Sequence, residues 1–182
     1  MSKITAYTAF ILLTASISVQ AAPDDTQLAV WANEAIVATY SYNYKNFLQR
    51  QKAIAKYFTA AGWTNYSDVL MASKLPDAVK ANSYFVSAVA TLPPTIKATS
   101  ANQWQANMPL LVIYKNPQYQ QKQTLEVTIN FSQAPSGQGI RGLAITSLIA
   151  KISKPACKCN LDDEGSDTTT TAGDEQPQQG AK

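Results

Sequence analysis

Two cysteines stand one residue apart in Cys157-Lys158-Cys159, and the 182-residue chain has no others. Thiolates can bridge, exchange or hold a metal. Two of them with no histidine leave a metal site incomplete, and a thioredoxin-like redox site spaces its cysteines by two residues rather than one. In an oxidising compartment the first reading is a disulfide, intramolecular or mixed. The ring between Cys157 and Cys159 is small, and strain makes such a bridge easily reduced. Redox and metal readings of the pair stay open as lesser alternatives.

Other chemistry is thinly provided for. The chain contains no histidine, so a Ser-His-Asp triad, a Cys-His pair and a His-ligated zinc are all excluded. Before the C-terminal segment the carboxylates are Asp24, Asp25, Glu34, Asp68, Asp77 and Glu126. A general acid–base pair needs two such groups held about a substrate. Glu126 falls on the polar face of an alternating stretch, and Glu34 lies early in a helical pattern where the dipole favours an acid, so both read as exposed charges. Gly137-Gln138-Gly139 precedes a strand pattern rather than a helix and is no phosphate loop. No catalytic residue, cofactor, metal or small-molecule substrate is expected. Tyr40, Tyr42, Tyr44 and Phe47 could cage a ligand, but at helical spacing they read as core or subunit packing. Tyr42 falls off the main stripe and is the candidate interface residue.

The elements that must carry these residues follow from periodicity. Asp24 with Gln27 suggests a helix start resembling a capping box. Apolar residues Leu28, Trp31, Ala32, Ala35, Ile36, Tyr40, Tyr44, Phe47, Ile54 and Phe58 recur mostly at three and four, which predicts one long amphipathic helix over 25–58, bent in the middle and stopped by Gly62. A short helix over 63–73 and one further turn over 77–81 follow. The period then changes to two. Strands are predicted over 84–92, over 104–114, over 125–131 and over 140–152. Residues 95–99 continue the first of these at an edge past Pro93-Pro94, and Gly142 reads as a bulge. Asn116-Pro117 marks a turn. Helices first and strands afterwards give an α+β fold, a long helix packed on a curved, mostly antiparallel four-stranded sheet.

Composition places the domain. One cation, an apolar run over 4–19 and small residues before Asp24-Asp25 read as a cleavable signal peptide over 1–21, cut after Ala21 with Ala22 as the alternative. The run is too short and too rich in Ser and Thr for a membrane span. A single domain over 22–159 and an acidic tail over 160–182, too polar to build a core, complete the chain. Residues 23–159 carry 13 Lys+Arg against 6 Asp+Glu, and residues 160–182 carry one Lys against six acids. The scattered cations read as a solvated surface rather than a nucleic-acid footprint.

Several ordered segments resemble the DotI/IcmL family, also grouped with conjugative TraM: Trp31-Ala32-Asn33-Glu34-Ala35, Tyr40-Ser41-Tyr42-Asn43-Tyr44, Leu48, Tyr57-Phe58-Thr59-Ala60-Ala61-Gly62-Trp63, Ala88-Val89-Ala90, Trp104, Met108 to Tyr114 in sequence, and Arg141-Gly142-Leu143-Ala144-Ile145. The resemblance implies a non-catalytic component of a type IVB (Dot/Icm-like) secretion system of Gram-negative bacteria. It implies a periplasmic location, partners among secretion-system envelope proteins, a homo-oligomer among the expected assemblies, and a helix-plus-curved-sheet fold of the nuclear-transport-factor-two-like, assembly-factor kind. Family members typically carry a membrane helix before this domain, whereas here a signal peptide leads into it. The competing reading is a small-molecule binder or enzyme using a pocket between helix and curved sheet. A third is a host-directed exported protein built on the same domain.

Overall fold

The computed structural model describes residues 24–160, with side chains placed through 154. The signal-peptide reading and nearly all of the acidic tail lie outside these residues. Helix α1 (Asp25–Thr39) starts where the sequence suggests, with the Asp24 carboxylate accepting from the Gln27 amide at 2.7 Å. Its buried stripe is Leu28, Trp31, Ala32, Ala35, Ile36 and Thr39.

The single helix expected over 25–58 is two helices. The chain leaves α1 at Tyr40, forms a two-residue strand β1 (Tyr42–Asn43), and re-enters a helix, α2 (Phe47–Ile54). Two asparagines stabilise the break. The Asn43 side chain accepts from the Lys45 and Asn46 amides at 2.9 and 3.0 Å, and the Asn46 side chain accepts from the Asn43 amide at 2.8 Å. Arg50 donates from Nε to the freed Ser41 carbonyl at 3.1 Å. These local bonds offer the backbone an alternative to the helix ladder.

A 3₁₀ turn (Ala55–Tyr57) leads to α3 (Ala60–Ala72) and α4 (Leu75–Ala81). Gly62 does not stop a helix; it lies in the first turn of α3, its amide capped by Thr59 Oγ1 at 3.1 Å. A Cβ at this position would stand 2.5 Å from the Ile145 carbonyl oxygen. Glycine is needed because helix and strand backbones touch.

The strands are β2 (Phe85–Ala90), β3 (Thr95–Ser100), β4 (Gln103–Lys115), β5 (Tyr119–Gln133) and β6 (Leu143–Asn160). The sheet is antiparallel and runs β1-β2-β4-β5-β6, with β3 also pairing β4. It has six strands rather than the four expected. The additions are β1, formed where the expected helix breaks, and β3, because Pro93-Pro94 lack ladder amides and divide the first stretch in two. Strand β2 pairs with the second half of β4 and β3 with its first half. Register shifts in the β3–β4 and β5–β6 ladders accompany the curl of the sheet. Gly142, at φ 73°, sits in the turn before β6 rather than in a bulge.

The concave face is apolar because β4 and β5 alternate strictly. Trp104, Ala106, Met108, Leu110, Val112 and Tyr114 point inward from β4, and Leu125, Val127, Ile129 and Phe131 from β5. The α1 stripe closes over them. Each fully buried large side chain contributes on the order of 1.5–3 kcal/mol.

Candidate functional site

The cysteines occupy β6, where Cys157 pairs with Lys122 and Cys159 with Gln120. Their side chains lie outside the described residues. Tyr42, expected at an interface because it falls off the helical stripe, is 5 % exposed. It packs edge-to-face on Phe47, ring centroids 5.4 Å apart. Its burial follows from the broken helix: a residue that points away on a continuous helix points inward on β1. Every carboxylate from Asp24 to Glu126 is exposed. Glu34 is engaged twice, accepting from the Tyr57 hydroxyl at 2.7 Å and pairing with Arg141. The Tyr57 hydrogen bond, with Arg141 beside it, holds the Glu34 carboxyl below its ordinary range. This trio ties α1 to the 3₁₀ turn and to the loop before β6.

Between the helices and the curl of the sheet, four tyrosines converge: Tyr40 from the end of α1, Tyr42 from β1, Tyr66 from α3 and Tyr114 from β4. Burial pushes the hydroxyls of Tyr40, Tyr42 and Tyr66 well above the usual phenol range and raises that of Tyr114. Charge on one would also disfavour charge on its neighbours, as Tyr114 does for Tyr40 and Tyr42. Burial raises Tyr57 and Tyr84 to about 12, helped by hydrogen bonds to Glu34 and Tyr119 respectively. Because the folded values lie above the unfolded one, the fold favours the neutral phenols. That stability is fully present below about pH 10 and is lost as pH rises through the folded values. The melting temperature should therefore hold up to about pH 10 and fall steeply above it, with most of the tyrosinate absorbance appearing in the same step as unfolding. Full tyrosinate absorbance reached at the ordinary phenol pH in an intact fold would contradict this.

At the other end of α1 lies an open cleft of about 410 Å³, lined by Ala29, Val30 and Asn33 of α1 and by Ala90, Thr91, Leu92, Pro93 and Pro94 of the β2–β3 connection. Val30 is 56 % and Leu92 64 % exposed. The prolines offer no amide for an added strand, so this cleft can recognise a partner through side-chain burial. The sequence alone did not reveal it, because Val30 looks like one more apolar residue of a helix.

A family model described as a type IVB secretion system inner-membrane complex component, DotI/IcmL, matches residues 12–152. The chain belongs to the DotI/IcmL family. An IcmL-like type IV secretion system protein of Legionella pneumophila is 56% identical, with a TM-score of 0.72 over 76% of this chain and 100% of that one. The periplasmic domain of DotI is 32% identical, with a TM-score of 0.68 over 72% of this chain and 97% of that one. CagV, a VirB8 homologue from Helicobacter pylori, shares the fold at 8% identity, with a TM-score of 0.57 over 70% of this chain and 98% of that one. No curated protein matches. The fold is thus that of DotI/IcmL and VirB8-type domains, and the family is a structural one within the secretion complex. Among the described residues no helix is long and apolar enough to cross a membrane.

Proposed function

We propose that the chain serves a type IVB secretion complex on its periplasmic side by contact alone, reaching that side through cleavage after Ala21, with residues 22–159 as one domain. Family membership across 12–152 carries the reading. The dispersal of the carboxylates supports the absence of catalysis: Glu34 is committed to Tyr57 and Arg141, and the others stand exposed on separate elements. The contact surface we assign is the cleft between α1 and the β2–β3 connection, and its occupant is an inner-membrane component of the same complex. Exposed Val30 and Leu92 would be the apolar anchors, as a few buried residues dominate most interfaces.

The test is affinity capture of the tagged full chain from envelopes of the native host. Wild type should recover secretion-complex components, and mass spectrometry of the captured protein should read an N-terminus at Ala22. The double variant Val30→Asp, Leu92→Asp should recover about tenfold less with an unchanged melting temperature. Equal recovery by the variant would remove the cleft from the interface. No recovery by wild type would remove the functional reading, and a retained Met1 would remove the export step.

A further inference from the structure

Between Glu34 and Asp68 the sequence carries four cations, Lys45, Arg50, Lys52 and Lys56, and no carboxylate. Arg50 is committed to the carbonyls of Ser41 and Ala38. The three lysines are exposed. Helix α2 turns Ile54 into the core and packs Phe47 on Tyr42. Its opposite face carries Leu48, Gln49, Lys52 and Ala53, all exposed. Lys56 follows one turn after Lys52, in the 3₁₀ turn. Lys45 stands in the turn before the helix, its Nζ 5.4 Å from the centroid of the Tyr44 ring. Among the described residues none of these lysines is in an ion pair, and Glu34 is already held by Arg141 and Tyr57.

An apolar side chain sits among these charges. Leu48 is 74 % exposed, more than any other large apolar side chain described, and lies one helical turn from Lys52. A lone exposed leucine is ordinary; its setting in an acid-free row of lysines is what is informative. At the Lys45 end of the row Tyr44 meets the ring of Phe85 at 5.6 Å, and Phe85 is half exposed and in register with Lys115. Lysines without acids, interleaved with exposed apolar groups, suit an anionic lipid surface. The ammonium groups meet headgroup phosphates while the apolar groups enter the acyl boundary. The outer face of α2 is also a convex ridge, which a fluid bilayer accommodates without a matching pocket.

We propose that the α2 ridge, through Lys45, Leu48, Lys52 and Lys56, docks reversibly on the anionic phospholipid surface of a bilayer. A lysine near such a surface strengthens partitioning about fivefold, so three of them give a contact that salt reverses. The choice of a bilayer over an acidic protein rests on the proposed place of the chain beside an inner-membrane complex. The ridge is separate from the α1 cleft, and vesicle binding is measured with no secretion component present. Its failure would leave the envelope capture result standing, and failed capture would leave vesicle binding to be judged by itself.

The exported chain, purified from the periplasm of a Gram-negative host, should cosediment with vesicles of mixed phosphatidylglycerol and phosphatidylcholine but not with phosphatidylcholine alone. Salt at about 0.5 M should release it. The pair Lys52→Glu, Lys56→Glu should weaken binding about twentyfold or more, and Leu48→Ser should weaken it several-fold. Both variants should keep the wild-type melting temperature, because all three side chains are exposed. The pair Lys97→Glu, Lys154→Glu makes the same charge change on β3 and on β6, the edge of the sheet opposite β1, and should weaken binding by less than about threefold. Equal binding to neutral vesicles, an equal loss in this second pair, or full binding by Leu48→Ser would each overturn the proposal. Retention on polyglutamate resin that matches vesicle binding and ignores Leu48→Ser would assign the ridge to an acidic protein instead.

Discussion

Trp31→Ala should destabilise the domain by about 4 kcal/mol in denaturant unfolding, the middle of the range for a large buried aromatic cut to alanine. Trp31 is 1 % exposed. Its ring lies 4.9 Å from that of Phe131 and 6.2 Å from that of Tyr57, so it joins the helical layer to the C-terminal end of β5. Its Nε1–H donates to the Ile140 carbonyl at 2.9 Å. That carbonyl also accepts from the Leu143 amide at 3.1 Å, so losing the indole does not leave it unpartnered. The cost is therefore mostly lost packing and the cavity left behind. Trp31→Phe, which keeps much of the ring, should recover most of the loss, short of about 1 kcal/mol for the missing hydrogen bond. A loss under about 1.5 kcal/mol for the alanine variant would show that α1 collapses into the space rather than being held by Trp31.

Gly62→Ala should cost about 3 kcal/mol, the upper part of the range for overpacking. Two effects oppose each other. Alanine in a helix is favoured over glycine by about 1 kcal/mol. Against that, the new methyl would stand 2.5 Å from the Ile145 carbonyl oxygen and 2.9 Å from that of Thr146. Both are backbone atoms, which cannot rotate aside as a side chain would. Relief requires α3 to move off β6, and the same junction carries the Thr59 amide bond to Ile145 at 2.9 Å and the bridge between Phe58 and Ile145. The steric term wins. A melting temperature equal to or above that of wild type would mean the helix–strand approach is looser than the structure has it.

Strands β4 and β5 were readable because both faces obey one rule: Leu110, Val112 and Tyr114, then Leu125, Val127, Ile129 and Phe131, alternate with outward residues, as period-two patterning requires. The first half of the chain misled for a different reason. Tyr40 and Tyr44 keep the helical spacing although Ser41 to Asn46 are not helical, since both still pack against the core. The signal for the break was the Asn43–Asn46 pair, whose side chains close a turn on themselves. Gly62 showed only that a side chain was unwelcome; whether it ended a helix or admitted a strand depended on Ile145, 83 residues later. Of the site, absent histidine and scattered acids were visible at once. The cleft at Val30 and Leu92 was not, because it forms only when α1 meets the β2–β3 connection.

The indole of Trp31 finds its acceptor 109 residues further on, at Ile140, and Phe58 finds its bridge at Ile145. Helix α1 is thus made well before the segment around Ile140 and Ile145 that completes its interface. Contacts so distant in sequence slow folding. The growing polypeptide stays without a finished interior until β6 arrives, and its maturation is a late, all-at-once event rather than a progressive one.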